Sequence, residues 1–278
     1  MSGVLRPELI EEFRQGGDLR TQWVGEPSNE AMALVAERTG LHLSVVRLVL
    51  AVGGYRPDEE SLAFYAEMLG TVSSGPEGAN LVRGWFLDCW DLPGIGLTAG
   101  LGELAAAPAA VTIRRLVEDS MTAPVGPKMW RAARAELAAI AGDAPFAEPA
   151  LAMAWDLETV PGASADVYFG WWFALDKAGR AELGWTAEDD NRLAPVIEQF
   201  RGRAVADLGP PTKEDTGWMQ RFQEKLESYW AERPDLAEFK ARHHLVQQRA
   251  AQDYAAVIAA ARSTLTARAK AMRGPVVA

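Results

Sequence analysis

Cysteine is almost missing. Cys89 stands alone among 278 residues, which excludes an intramolecular disulfide and any cysteine-rich metal site. Histidine is nearly as scarce, with His42, His243 and His244 only. Glu238 precedes the two adjacent histidines by five and six residues, spacings that share no helix face, so helix-borne zinc or iron ligation is poorly served. No apolar run approaches the roughly 20 residues that cross a bilayer. The opening MSGVLRPELIEEF has no basic head followed by an apolar core, so no secretory leader is expected. Basic charge is in deficit, leaving a net charge of −10 that opposes general attraction to nucleic acid or to an anionic membrane. Together these absences point to a cytoplasmic chain away from membranes, with no cofactor and no catalytic residues that can be named.

What is present is helical punctuation. With 49% hydrophobic and 24% charged residues the chain can bury a substantial core. Pro7 opens a helix that Gly16 and Gly17 close. Ser28 or Asn29 caps a second, which ends at Gly40. Pro57 precedes Asp58, Glu59 and Glu60 in the first turn of a third, which stops at Gly70. GPKMWRAARAELAAIAG is a helix between Pro127 and Gly142. SADVYFGWWFALDKAG is apolar on several faces and reads as a buried central helix. Thr186 caps a helix in which Pro195 should make a kink. Trp218, Phe222, Leu226 and Trp230 recur every four residues, and Leu236 to Leu265 form a long apolar stripe without Gly or Pro. The expected fold is all-α: an irregular multi-helix bundle with a helix-turn-helix-like start and a long C-terminal helical hairpin. VSSGPEGAN (72–80) and LGPPTKEDTG (208–217) suggest segments at 1–71, 72–207 and 208–278, the last two able to form one domain.

The stretch MALVAERTGLHLSVVRLVLA, Met32 to Ala51, resembles the helix-turn-helix superfamily. Ala36 stands where a small residue is wanted in the first helix and Gly40 at the turn. Leu41, Val46 and Val49 supply the apolar positions after it. The resemblance implies that His42, Ser44 and Arg47 face a DNA major groove, where base reading needs donors and acceptors. Against that, Leu43, Val45, Leu48 and Leu50 leave the second helix apolar nearly all round, as a packing helix would be.

Other constellations have structural and functional readings side by side. Trp85, Trp90, Trp171, Trp172 and Trp185 could line a ligand pocket, or fill gaps between helices. Asp88 and Asp91, at i and i+3, could share a divalent cation. EDD (188–190) is more simply an acidic first turn. The glycines of PGIGLTAGLGE follow no clear strand and suit a connection better than a dinucleotide loop. Residues 239–278 hold seven basic groups against one acid, including Arg262, Arg268, Lys270 and Arg273. This tail could bind phosphate, or the acidic body itself. The expected role is non-catalytic binding or regulation, with a basic protein as partner. The alternatives are DNA binding, dimerisation through the C-terminal hairpin, and an enzyme or small-molecule binder built on the tryptophans.

Overall fold

Ser28 shows how local signals set the helices. Its hydroxyl accepts the Ala31 N–H at 3.0 Å and starts α3 (Asn29–Thr39). Gly40 then takes the left-handed conformation (φ 69°) that ends it, a geometry costly for a side chain with Cβ. His42 caps α4 (Leu43–Gly53), and Asp58 caps α5 (Glu59–Thr71) by accepting the Ser61 N–H at 2.8 Å. The computed structural model describes residues 7–25, 28–54, 58–72, 75, 77–212 and 215–273; Pro57 lies outside them. Among these residues there are fourteen α-helices and no strand, as the punctuation implies. No helix among them is long and apolar enough to cross a membrane.

The chain divides into two compact units, residues 1–175 with 254–278, and residues 176–253. The divisions fall inside α11 (Ala163–Glu182) and α14 (Ala237–Arg273), and not within residues 72–80 or 208–217. Both helices run on without local punctuation at those points, so a boundary there leaves no mark in the sequence.

In the first unit α4 is the core. Val45, Val46, Leu48, Val49 and Leu50 are at most 1% exposed, each burial contributing about 1.5–3 kcal/mol. It packs against α3, α5 and α6 (Glu77–Asp91). Phe13 of α1 (Pro7–Arg14) joins Trp23 and Tyr65 in an aromatic cluster with centroids 5.1–6.0 Å apart. The Trp23 indole N–H donates to Val46 O at 3.1 Å, so its burial leaves no unmet donor. The short helices α2 (Asp18–Arg20) and α7 (Leu97–Leu101) connect longer ones. α8 (Pro108–Ser120), α9 (Pro127–Ala141) and α10 (Ala147–Met153) pack together beside α6. From α14, Val257, Ala261 and Leu265 are fully buried in this unit.

In the second unit α12 (Ala187–Leu208) runs through Pro195 to Leu208. Its Phe200 and Ala204 pack on Tyr229 and Trp230 of α13 (Trp218–Ala231). The aromatic face of α13 is therefore taken up by α12. The first turns of α14 follow through Trp185, Phe239 and Val246.

Candidate functional site

The three residues that the helix-turn-helix resemblance aims at DNA are all engaged by their own chain. His42 Nδ1 accepts the Ser44 backbone N–H at 3.3 Å as the cap of α4. The same nitrogen lies 2.7 Å from the Ser44 hydroxyl. Nε2 lies 3.2 Å from Glu158 Oε2. Ser44 itself is fully buried, and its carbonyl accepts from Ser164 Oγ at 2.8 Å. Arg47 donates to Asn29 Oδ1 at 2.8 Å. The helix, glycine, helix shape is there, but a base edge cannot reach Ser44 in this arrangement.

Asp88 and Asp91 do not converge, which corrects the shared-cation reading. Arg268 grips Asp88 through Nε and Nη2 at 2.7 and 2.5 Å, and Arg114 grips Asp91 at 2.7 and 2.8 Å. Each carboxylate is already paired with a separate guanidinium, and no metal-ligating cluster occurs among the described residues. The basic tail turns to the body: Arg262 pairs with Glu60 at 2.9 Å and Lys270 with Glu67 at 2.6 Å. The side chain of Arg273 lies outside the described residues. Trp85, Trp90, Trp171 and Trp185 are buried core, and Trp171 donates to Ile95 O at 2.7 Å. Trp172 is half-buried against Phe173 and Tyr254. Of EDD, Asp189 closes a capping box with Thr186 and takes Arg242 at 3.1 Å. The backbone N–H of Thr186, first, holds its carboxyl below the usual range.

The chemistry-bearing hollow lies elsewhere. A cleft of about 320 Å³ opens between the start of α6, the end of α8, α9 and the connection into α11. α6 contributes Glu77, Asn80 and Arg83, and the turn after α8 contributes Met121 to Val125. α9 supplies Trp130, and the connection supplies Asp156 and Glu158. Asn80 Nδ2 donates to Met121 O at 3.1 Å and ties α6 to the α8 turn. Asp156 Oδ1 accepts the Glu158 N–H at 3.2 Å, an Asx-type turn that shapes the connection. Arg134 donates to Ala154 O and lies 3.5 Å over the Trp155 ring, fixing where that connection begins. Gly78 lets α6 come this close to α4, because a Cβ there would sit 2.7 Å from His42 Cβ.

Arg83 dominates the cleft. Its side chain is only 12% exposed, and its one direct hydrogen bond among the described residues runs from Nη1 to Asn80 Oδ1 at 3.1 Å. Asp156 and Glu158 approach Nη2 only to 3.8 and 3.9 Å, beyond hydrogen-bond reach. Burial lowers the guanidinium's pKa from its ordinary value, and the two carboxylates pull it back. Sequence reading did not single out Arg83, Asn80, Asp156, Glu158 or Trp130. The available signal was a polar line at 77, 80 and 83 on a helix whose Leu81, Val82, Trp85 and Phe86 are buried.

No protein-family model matches the chain, and no curated protein or solved structure matches it.

Proposed function

We propose that the chain is a non-catalytic helical binding protein that docks a basic protein partner on the acidic face around the cleft. The observation that carries this reading is the rim itself: Glu77, Asp156 and Glu158 surround an open hollow that contains one guanidinium, Arg83. The charge balance supports it, because a net charge of −10 is an excess of ten acidic over basic side chains. Three tail cations are already spent on Glu60, Glu67 and Asp88. Potentials of opposite sign steer association and select partners. Catalysis is disfavoured because Ser44 and Cys89 are buried, and burial pushes the Cys89 thiol well above its usual range. One buried cysteine suits a reducing compartment, so the cytoplasm is the proposed setting.

The test is fluorescence anisotropy of a labelled oligolysine peptide titrated with the full chain. Binding should weaken with salt, and it should fall about tenfold when Glu77→Gln, Asp156→Asn and Glu158→Gln are combined. A control with the same charge change, Glu103→Gln, Glu136→Gln and Glu148→Gln, should retain it. Equal loss in both variants, or no binding at low salt, overturns the reading. Random duplex DNA should not bind. Salt-dependent DNA binding lost in Arg47→Ala would move the function to α4.

A further inference from the structure

We infer that the cleft receives a small zwitterion, an α-amino acid with an apolar side chain, its carboxylate on Arg83 and its ammonium on Asp156 and Glu158. This inference rests on the cleft being the recognition site, and is independent of a basic protein partner.

The first argument is the state of Arg83. A guanidinium carries a planar fork of N–H donors suited to a carboxylate. Here that fork is largely desolvated, yet among the described residues only Asn80 accepts from it directly. Its remaining N–H groups are not among the buried donors without a partner; they open into the cleft, where a planar carboxylate can meet them two at a time.

Charge decides the rest of the ligand. Arg83 stands with Glu77, Asp156 and Glu158 around one hollow. An anion alone would meet three carboxylates, and a cation alone would meet the guanidinium. A molecule carrying both signs satisfies both sets. The spacing selects among such molecules: Nη2 of Arg83 lies 3.8 and 3.9 Å from the Asp156 and Glu158 oxygens. The opposite charges of the site are thus close together, as they are on the two groups borne by a single α-carbon. An ω-amino acid carries its charges on a longer flexible chain and must give up conformational freedom to face both at once.

Asp156 is held in place by a group outside the cleft's charge pair, and the half-exposed Glu158 has one longer contact of its own. Asp156 Oδ1 accepts the Glu158 N–H, and Glu158 Oε2 faces His42 Nε2. Preorganised acceptors lose little freedom when an ammonium arrives. Trp130, Met121, Pro124 and Val125 give the hollow an apolar wall for a side chain. Its volume sits at the small end of ligand pockets, which run from roughly 300 Å³ upward. Ser120 and Thr122 line the cleft and donate their hydroxyls to Val117 O at 2.8 Å and Asp119 O at 2.9 Å.

Isothermal titration of the full chain with L-leucine, L-methionine and L-phenylalanine tests this. At least one should bind with one-to-one stoichiometry. N-acetylation, which removes the ammonium charge, and methyl esterification, which removes the carboxylate, should each weaken binding about tenfold or more. Arg83→Gln should do the same, and the derivatives give a readout if that variant does not fold. Absence of binding by all three overturns the inference, as does affinity that survives both derivatisations. If amino acids fail while oligolysine still docks through the rim, this inference falls alone. If both fail, the cleft is not the recognition site.

Discussion

His42 and Glu158 are 116 residues apart in sequence and meet at 3.2 Å. Through this contact the cap of the most buried helix, α4, touches the connection that forms one wall of the cleft. The two nitrogens of His42 have separate tasks, one accepting from Ser44 and the other facing Glu158.

His42→Ala should therefore cost about 1 kcal/mol, most of it from the lost helix cap. The Glu158 contact adds little, since that carboxylate is 55% exposed. His42→Asn keeps a capping acceptor and should recover most of the loss. Urea denaturation of both variants measures this, and equal destabilisation would show that the imidazole does something besides capping.

Gly78 and Gly202 should respond to alanine with opposite signs. A Cβ at Gly78 would meet His42 Cβ at 2.7 Å and Val45 Cγ2 at 3.2 Å, so Gly78→Ala should destabilise by roughly 1–3 kcal/mol. At Gly202, inside α12, a Cβ would meet nothing within 4 Å. Gly202→Ala should stabilise by about 0.4–1 kcal/mol by restricting the unfolded chain. Denaturation midpoints of the two variants decide it; a stable Gly78→Ala protein would contradict the close approach of α6 to α4.

A double-mutant cycle on Asp88 and Arg268 should give a coupling of roughly 1 kcal/mol, above that of a typical surface pair because the contact is two-pronged and about 70% of each side chain is buried. Arg268→Met alone should cost more than Arg268→Met in the Asp88→Asn background. Added salt should reduce the coupling only partly. Strict additivity would mean that the Asp88–Arg268 pair does not help to hold the tail.

His243 should make the second unit less stable as the pH falls below neutrality. Burial, with Arg180 nearby, lowers its pKa from the ordinary 6.5, and its ring lies 5.5 Å from that of Trp185. As the pH drops through about 6.5 the unfolded chain takes up a proton that the folded one resists, so stability present above that pH declines until the folded value is passed. Between about pH 7 and 5.5 the His243→Gln protein should show a flatter stability profile. Trp185 fluorescence during urea unfolding reports it, and parallel profiles would refute the assignment.

Helix starts and ends were legible in the sequence because capping is local chemistry. Ser28, Asp58, Thr186 and Gly40 each act on backbone groups within a few residues. The all-α class follows from the same signals, and so does the burial of α4, whose apolar residues leave no wet face. The destination of the basic tail was legible only as a choice, since composition shows a charge excess without saying which carboxylate answers it. The tertiary structure made that choice, bringing Glu60, Glu67 and Asp88 to Arg262, Lys270 and Arg268. The division into units was hidden for the opposite reason, because it passes through helices that carry no local break.

The cleft lay furthest from sequence reasoning. Arg83, Trp130 and Glu158 come from three separate stretches and form no motif, and each alone looks like an ordinary helix or loop residue. A residue's partners within one turn are set by chain geometry, and the sequence by itself determines those. Partners from distant stretches are set by which apolar faces bury one another. That packing, decided only in three dimensions, left Arg83 short of acceptors beside two carboxylates.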